Sequence, residues 1–295
     1  MENTEVNVIS LITGAINTLF SNLFSSIDNN LYTVLDDLLF IKTDIMNNSH
    51  LQNILGEGKV SGIILIANSL VIGFLIYYAI SYLISHFTFA EVQKPSQFIF
   101  KLLLCVICVN CAFFLCERIL FFNSAISLAI RDIGESMLNH PISFSELITK
   151  LNSNIYLSNT DFNMFSLDGI IKGFISVGLI NVALSYALRY IMIIVFVLIS
   201  PFAFLSLVLT NTSWLFKSWI KIFLSLLFLQ ILVPIILLVV FSLSFSESDM
   251  FSNLVFIGGI YALIRANSYL REFMGGLSTD VSMGLSSLRY GGMNK

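Results

Sequence analysis

Charge is scarce in this chain: Asp, Glu, Lys and Arg supply 11% of the 295 residues, whereas 57% are apolar. Soluble domains carry about a quarter of their residues as charge, so a water-exposed globular fold is excluded. No basic residue precedes Lys42, and the opening MENTEVNVIS is acidic. The positively charged head of a cleavable signal is therefore missing, and the N-terminus is expected to be retained. Histidine is confined to His50, His86 and His140, in separate segments, which suggests neither a metal site nor a Ser/His/Asp arrangement. The sequence also has no HExxH, no GxSxG and no phosphate-cradling glycine loop, and GFISVG over 173–178 misses the nucleophile-elbow spacing. The expectation is a non-enzyme without cofactor or metal.

Cysteine occurs in one cluster, Cys105, Cys108, Cys111 and Cys116, spaced one residue away from a ferredoxin-type run. Cluster ligation needs a loop, whereas LLLCVICVNCAFFLC is apolar and free of glycine, so these cysteines read as small helix-packing residues. They offer no secreted disulfide pattern either. No repeat period is visible and the two halves are not alike, which weighs against repeat-built transporters.

What the chain does have is long apolar runs, each long enough for a ~20-residue spanning helix. The first is Val60 to Ile84, without any charge. The second is Gln97 to Phe122, with Lys101 near one end and Glu117 and Arg118 near the other, where snorkelling to the bilayer surface is cheap. A third lies within Ile170 to Ile199, where Arg189 either snorkels or sits inside the membrane. Ser200-Pro201 then interrupts, because proline removes a helix donor and disfavours helix in the residue before it. The fourth is Trp219 to Leu243, with a kink expected at Pro234, and the fifth is Phe251 to about Ser268 after an acidic turn holding Glu247 and Asp249.

The expected fold is therefore an all-α polytopic membrane protein with about five transmembrane helices. Residues 1–59 form an external amphipathic region, in which residues 5–28 place Ile9, Ile12, Ile16, Leu19, Leu23 and Ile27 on one helical face. A second, shorter amphipathic piece spans Leu31 to Met46 and carries Asp36 and Asp37, with the NNSH cluster ending it. Residues 60–123 hold the first two spans and 124–168 an external loop domain, broken by His140-Pro141 and NSNIYLSNTDFN. Residues 169–268 hold spans three to five, and 269–295 form a mobile cytoplasmic tail.

Lysine and arginine choose the orientation. Residues 94–101 carry two, 209–221 two and 265–295 four; the opposite face, with roughly twice the length, carries four among fourteen acidic residues. The N-terminus is expected outside and the C-terminus in the cytoplasm.

Between the third and fourth apolar runs lies a polar joint with both tryptophans, in the order Trp214, Lys217, Trp219, Lys221. Indole and ammonium groups together anchor a helix at a bilayer surface. Asn68, Asn110, Asn181 and Gln230 read as interhelical hydrogen-bond partners, and Gly169, Gly173, Ala183 and Ala187 as close-packing positions. The stretch from Ala187 to Val240 resembles the signature region of the TrbL-type, or sixth-VirB-subunit, family of type IV secretion and conjugation systems. In that family a hydrophobic helix ends near a Pro-[LIF] step, a short polar joint follows, and a tryptophan opens the next span. Here those positions are Pro201-Phe202, Thr210 to Lys217, and Trp219.

The resemblance implies a non-enzymatic channel or scaffold subunit of a bacterial inner membrane. Its partners would be itself as a homo-oligomer, cytoplasmic ATPases, stalk or pilus components and membrane lipid, with DNA or protein as transient cargo. A net charge of -3 without a basic cluster suits passage of nucleic acid more than its retention. The competing expectation is a secondary transporter, whose midplane site would have to use Arg189 and the Pro201 and Pro234 breaks.

Overall fold

The computed structural model describes residues 2–40, 48–56, 62–88, 94–156, 167–243 and 250–274. Among them the chain is helical throughout, without a strand. The helices are α1 (Glu2–Leu39), α2 (Ser49–Leu55), α3 (Ile63–Thr88), α4 (Pro95–Asn110), α5 (Ala112–Leu138), α6 (Phe144–Tyr156), α7 (Leu167–Leu205), α8 (Ser213–Leu243) and α9 (Met250–Met274). Four stretches are long and apolar enough to cross a membrane: Ile63–Thr88, Ala112–Leu138, Gly169–Leu205 and Thr210–Leu243. Pro95–Asn110 and Leu254–Ala266 are apolar but shorter. This is the build of a membrane-embedded protein, because helices satisfy their own backbone groups where water is absent.

Helix α7 is the hub, packing against α1, α3, α4, α5, α8 and α9, while α8 packs against α5, α6 and α9 as well. Two apolar cores are stacked along the α7/α8 pair. One joins α3, α4 and the start of α5 to Ile193–Val208 and Trp219–Leu227. The other joins the end of α1, α6 and α9 to Ile175–Tyr186 and Leu229–Phe241. Close approach depends on small residues, as expected where lipid removes most of the hydrophobic drive between helices. A Cβ on Gly134 would stand 2.6 Å from Ile142 Cγ1, and one on Gly259 2.6 Å from Val240 Cγ2.

Several boundaries differ from the sequence reading, each for a local reason. The N-terminal piece 5–28 and the first part of the piece expected over 31–46 are one helix, Glu2–Leu39, and residues 41–46 lie outside the described residues. Within the NNSH cluster Asn48 starts a helix: its side chain accepts from the His50 N–H at 2.9 Å, and Gly56, at φ 84°, closes α2 in the left-handed region. Periodicity alone cannot tell an N-cap asparagine from a C-terminal breaker.

The apolar stretch from Gln97 to Phe122 is broken at Cys111, yet the Cys111 N–H still reaches Ile107 O and Cys111 O accepts from Leu115 N–H. Helix α5 then continues to Leu138, so residues 124–138, expected in the external loop, belong to the crossing candidate. Apolar residues spaced at helical intervals among the charges (Ile126, Ile130, Ile133, Met137) extend the helix beyond the continuous apolar run. The His140-Pro141 break is present, with Asn139 at φ 56° capping α5. NSNIY, the first part of the expected helix breaker, is the end of α6. The rest of that segment, the acidic turn with Glu247 and Asp249, and the tail from residue 275 lie outside the described residues.

Candidate functional site

The joint between α7 and α8 is built around a proline that does not end its helix. Pro201 has no N–H to give the carbonyl four residues back, Val197 O, and the Ser200 hydroxyl donates to that carbonyl at 2.6 Å instead. With the acceptor satisfied, α7 runs on to Leu205, four residues beyond the expected interruption. The chain then reverses through 206–209 and a 3-10 turn, Thr210–Thr212, in which the Thr212 hydroxyl donates to Ser206 O at 2.8 Å.

The four joint residues divide between two environments. Trp214 is 60% exposed and Lys217 and Lys221 are exposed, as surface anchoring requires. Trp219 is buried instead, its indole N–H donating to Phe196 O at 2.9 Å across the pair. Its ring packs with Phe204, Phe216 and Phe223, with centroids 5.6, 5.8 and 5.2 Å away. Of the tertiary contacts and surface anchoring expected at Trp219, the structure shows the contacts: Trp214 is the exposed indole, and Trp219 is a packing and hydrogen-bonding link inside the bundle. Its position five residues after Trp214 puts it on the opposite side of the helix at about 100° per residue.

Above the joint, polar groups gather where the two apolar cores meet. Arg189 is fully buried. Its Nε donates to Leu226 O at 2.8 Å and its Nη1 to Leu39 O at 3.4 Å, so one guanidinium touches α8 and the end of α1. Leu39 O is among the last carbonyls of α1, which have no intrahelical donor and carry the negative end of the helix dipole. Arg189 Nη2 and the Tyr186 hydroxyl have no hydrogen-bond partner among the described residues. Arg189 therefore does not snorkel; it sits inside the protein.

One turn along α8 from Leu226, the Asn123 amide of α5 donates to Gln230 Oε1 at 3.1 Å, and the Ser127 hydroxyl donates to Gln230 O at 3.0 Å. Asn68 and Asn110 exchange amide bonds between α3 and α4 at 3.1 and 3.3 Å. Three of the four amides singled out in the sequence are thus interhelical partners; Asn123 and Ser127, which complete the buried group, were missed. Their only signal was polarity at i and i+4 on one face of an apolar helix.

Glu117 and Arg118 do not join this group. The pairs Asn123 with Gln230 and Gly134 with Leu238 run α5 alongside α8 in the same direction. That places Glu117 and Arg118 level with the first half of α8, at the joint end, not at the far surface where the shorter span had put them. Glu117 is half-buried, and Arg118 is exposed with its guanidinium carbon 4.8 Å from the Phe114 ring centroid. The four cysteines are free, with Cys105 and Cys116 buried and Cys111 exposed at the helix break. Among the described residues no group of three or more His, Cys, Asp or Glu side chains could hold a metal ion. No family model matches the chain, and no curated protein matches it.

Proposed function

We propose that this protein is an inner-membrane channel or scaffold subunit of a bacterial type IV secretion or conjugation machine, assembling with itself and with the ATPases and stalk components of that machine. The observation that carries the reading is the joint. The Pro201-Phe202 step, the polar turn and Trp219, on which the TrbL-type resemblance rests, belong to one packed unit closed by the Trp219 to Phe196 hydrogen bond. In this reading α3, α5, α7, α8 and α9 cross the membrane, with the N-terminus outside and the C-terminus in the cytoplasm. The parallel course of α5 and α8 supports that order, because both would cross outward.

The test is transfer of DNA or protein by cells carrying Trp219→Ala or a Trp214/Lys217/Lys221 triple alanine variant, normalised to membrane-extracted protein. Strong loss of transfer per extracted subunit is expected, with normal abundance in the triple variant; full transfer in both would end the reading. One observation favours a second reading as a secondary transporter: Arg189 and Tyr186 place in the interior of α7 donors that no described residue accepts. Uptake of a small anion by proteoliposomes, abolished by Arg189→Gln, would select it.

A further inference from the structure

The last turn of α1 is its buried part among the described side chains. Between Leu11 and Ser26 none of its described side chains is buried, whereas Leu35 and Leu39 are fully buried and Phe40 is 8% exposed. That last turn is bonded on two sides. Towards α6, the Asp36 carboxylate accepts from the Phe144 N–H at 2.8 Å, the Ser145 N–H at 3.3 Å and the Ser145 hydroxyl at 2.8 Å. It caps the N-terminus of a helix 108 residues away in sequence, where free N–H groups and the helix dipole favour an anion. Arg131 adds a second tie, its guanidinium carbon 4.2 Å from the Phe40 ring centroid while its Nε donates to Ile142 O at 3.0 Å. Towards the interior, Leu39 O accepts from Arg189.

We propose that the last turn of α1, Asp36 to Phe40, is a coupling turn that transmits the position of α6 to Arg189 at the meeting point of α7 and α8. The two contacts stand three residues apart on one rigid helical turn, so displacement of α6 must carry the Leu39 carbonyl with it or break the cap. The Arg189 to Leu39 contact is 3.4 Å long, beyond the usual range of about 2.7–3.2 Å. A shift of a few tenths of an ångström therefore ends it, while the shorter bond to Leu226 O keeps the guanidinium on α8. Whatever pulls or orders α6 thereby changes the number of helices that Arg189 joins, from three to two. The proposal stands on these contacts alone and holds under either functional reading.

Hydrogen exchange of the full chain in lipid nanodiscs, read by mass spectrometry, tests the coupling. Asp36→Asn weakens the cap, and exchange is expected to quicken on the order of fivefold, the equivalent of one weakened cap, over both 144–148 and 36–40. Ser145→Ala removes one of the bonds to Asp36 and should show a smaller change in the same two segments. Coupling is reciprocal, so Arg189→Gln should quicken exchange at 144–148, which Arg189 does not touch. Fluorescence of the buried Trp219, read in a Trp214→Phe background, checks that each variant remains folded. Faster exchange at 144–148 alone in Asp36→Asn and Ser145→Ala would overturn the proposal. So would unchanged exchange at 144–148 in a folded Arg189→Gln protein.

Discussion

The hydroxyl of Ser127 donates to the backbone carbonyl of Gln230 at 3.0 Å, and that carbonyl is the one Pro234 leaves without a helical donor. A neighbouring helix thus supplies the hydrogen bond that the proline in α8 cannot. On α7 the same problem at Pro201 is solved within the helix, by Ser200. Both prolines stay inside continuous helices because a hydroxyl sits beside the freed acceptor.

Ser127→Ala should therefore destabilise the protein by about 1 kcal/mol, by removing a hydrogen bond to a buried carbonyl. Asn123→Leu and Gln230→Leu should each cost about 1–2 kcal/mol, because the surviving amide loses the hydrogen bond between the two helices. The Asn123→Leu/Gln230→Leu double variant should cost less than the sum of the two. Unfolding in mild detergent measures all four; strict additivity in the double variant would show that the amides do not act as a pair.

Trp219 is expected to tolerate truncation poorly, since its ring fills a site among Phe204, Phe216 and Phe223 and its N–H ties α8 to α7. Trp219→Ala should cost about 3 kcal/mol, and Trp219→Phe, which keeps an aromatic ring and loses the bond, about 1 kcal/mol. Trp214→Ala, at an exposed position, should leave thermal stability almost unchanged. Equal effects of the two alanine variants would contradict the division of roles at the joint.

For Pro201→Leu the structure calls for a mild effect. The helix already passes through residue 201, so leucine returns a donor to Val197 O, where Ser200 now stands, without lengthening α7. Membrane abundance should stay normal and the midpoint of thermal unfolding should move by only a few degrees. A large loss of folded protein would show that the angle set by proline is needed for packing.

Orientation can be read by thiol labelling in a background lacking the four native cysteines. His140→Cys, at an exposed site between α5 and α6, should react with an impermeant maleimide added to intact cells lacking an outer barrier. Ser278→Cys should react only after the membrane is opened. Outside labelling of both positions would require an even number of crossings between them and would exclude the proposed order of α7, α8 and α9.

The sequence by itself determined that the chain is helical and membrane-embedded, because long uncharged apolar runs leave the backbone no other way to satisfy its hydrogen bonds in lipid. It also marked the joint and singled out Arg189 and Gln230 as polar groups within apolar runs. Tertiary structure decided where each of them points. Trp214 and Trp219 are alike as residues, but one meets the surface and the other a carbonyl on α7, a difference set by which face of α8 lies against its neighbour. The extent of α5 was hidden because Arg131, Asp132 and Glu135 look like the end of a span, although Arg131 is drawn to Phe40 and Ile142 O. Arg189 could have snorkelled or been buried. Tertiary structure brings it carbonyl acceptors from two other helices, Leu226 O on α8 and Leu39 O at the end of α1, and these accompany its burial.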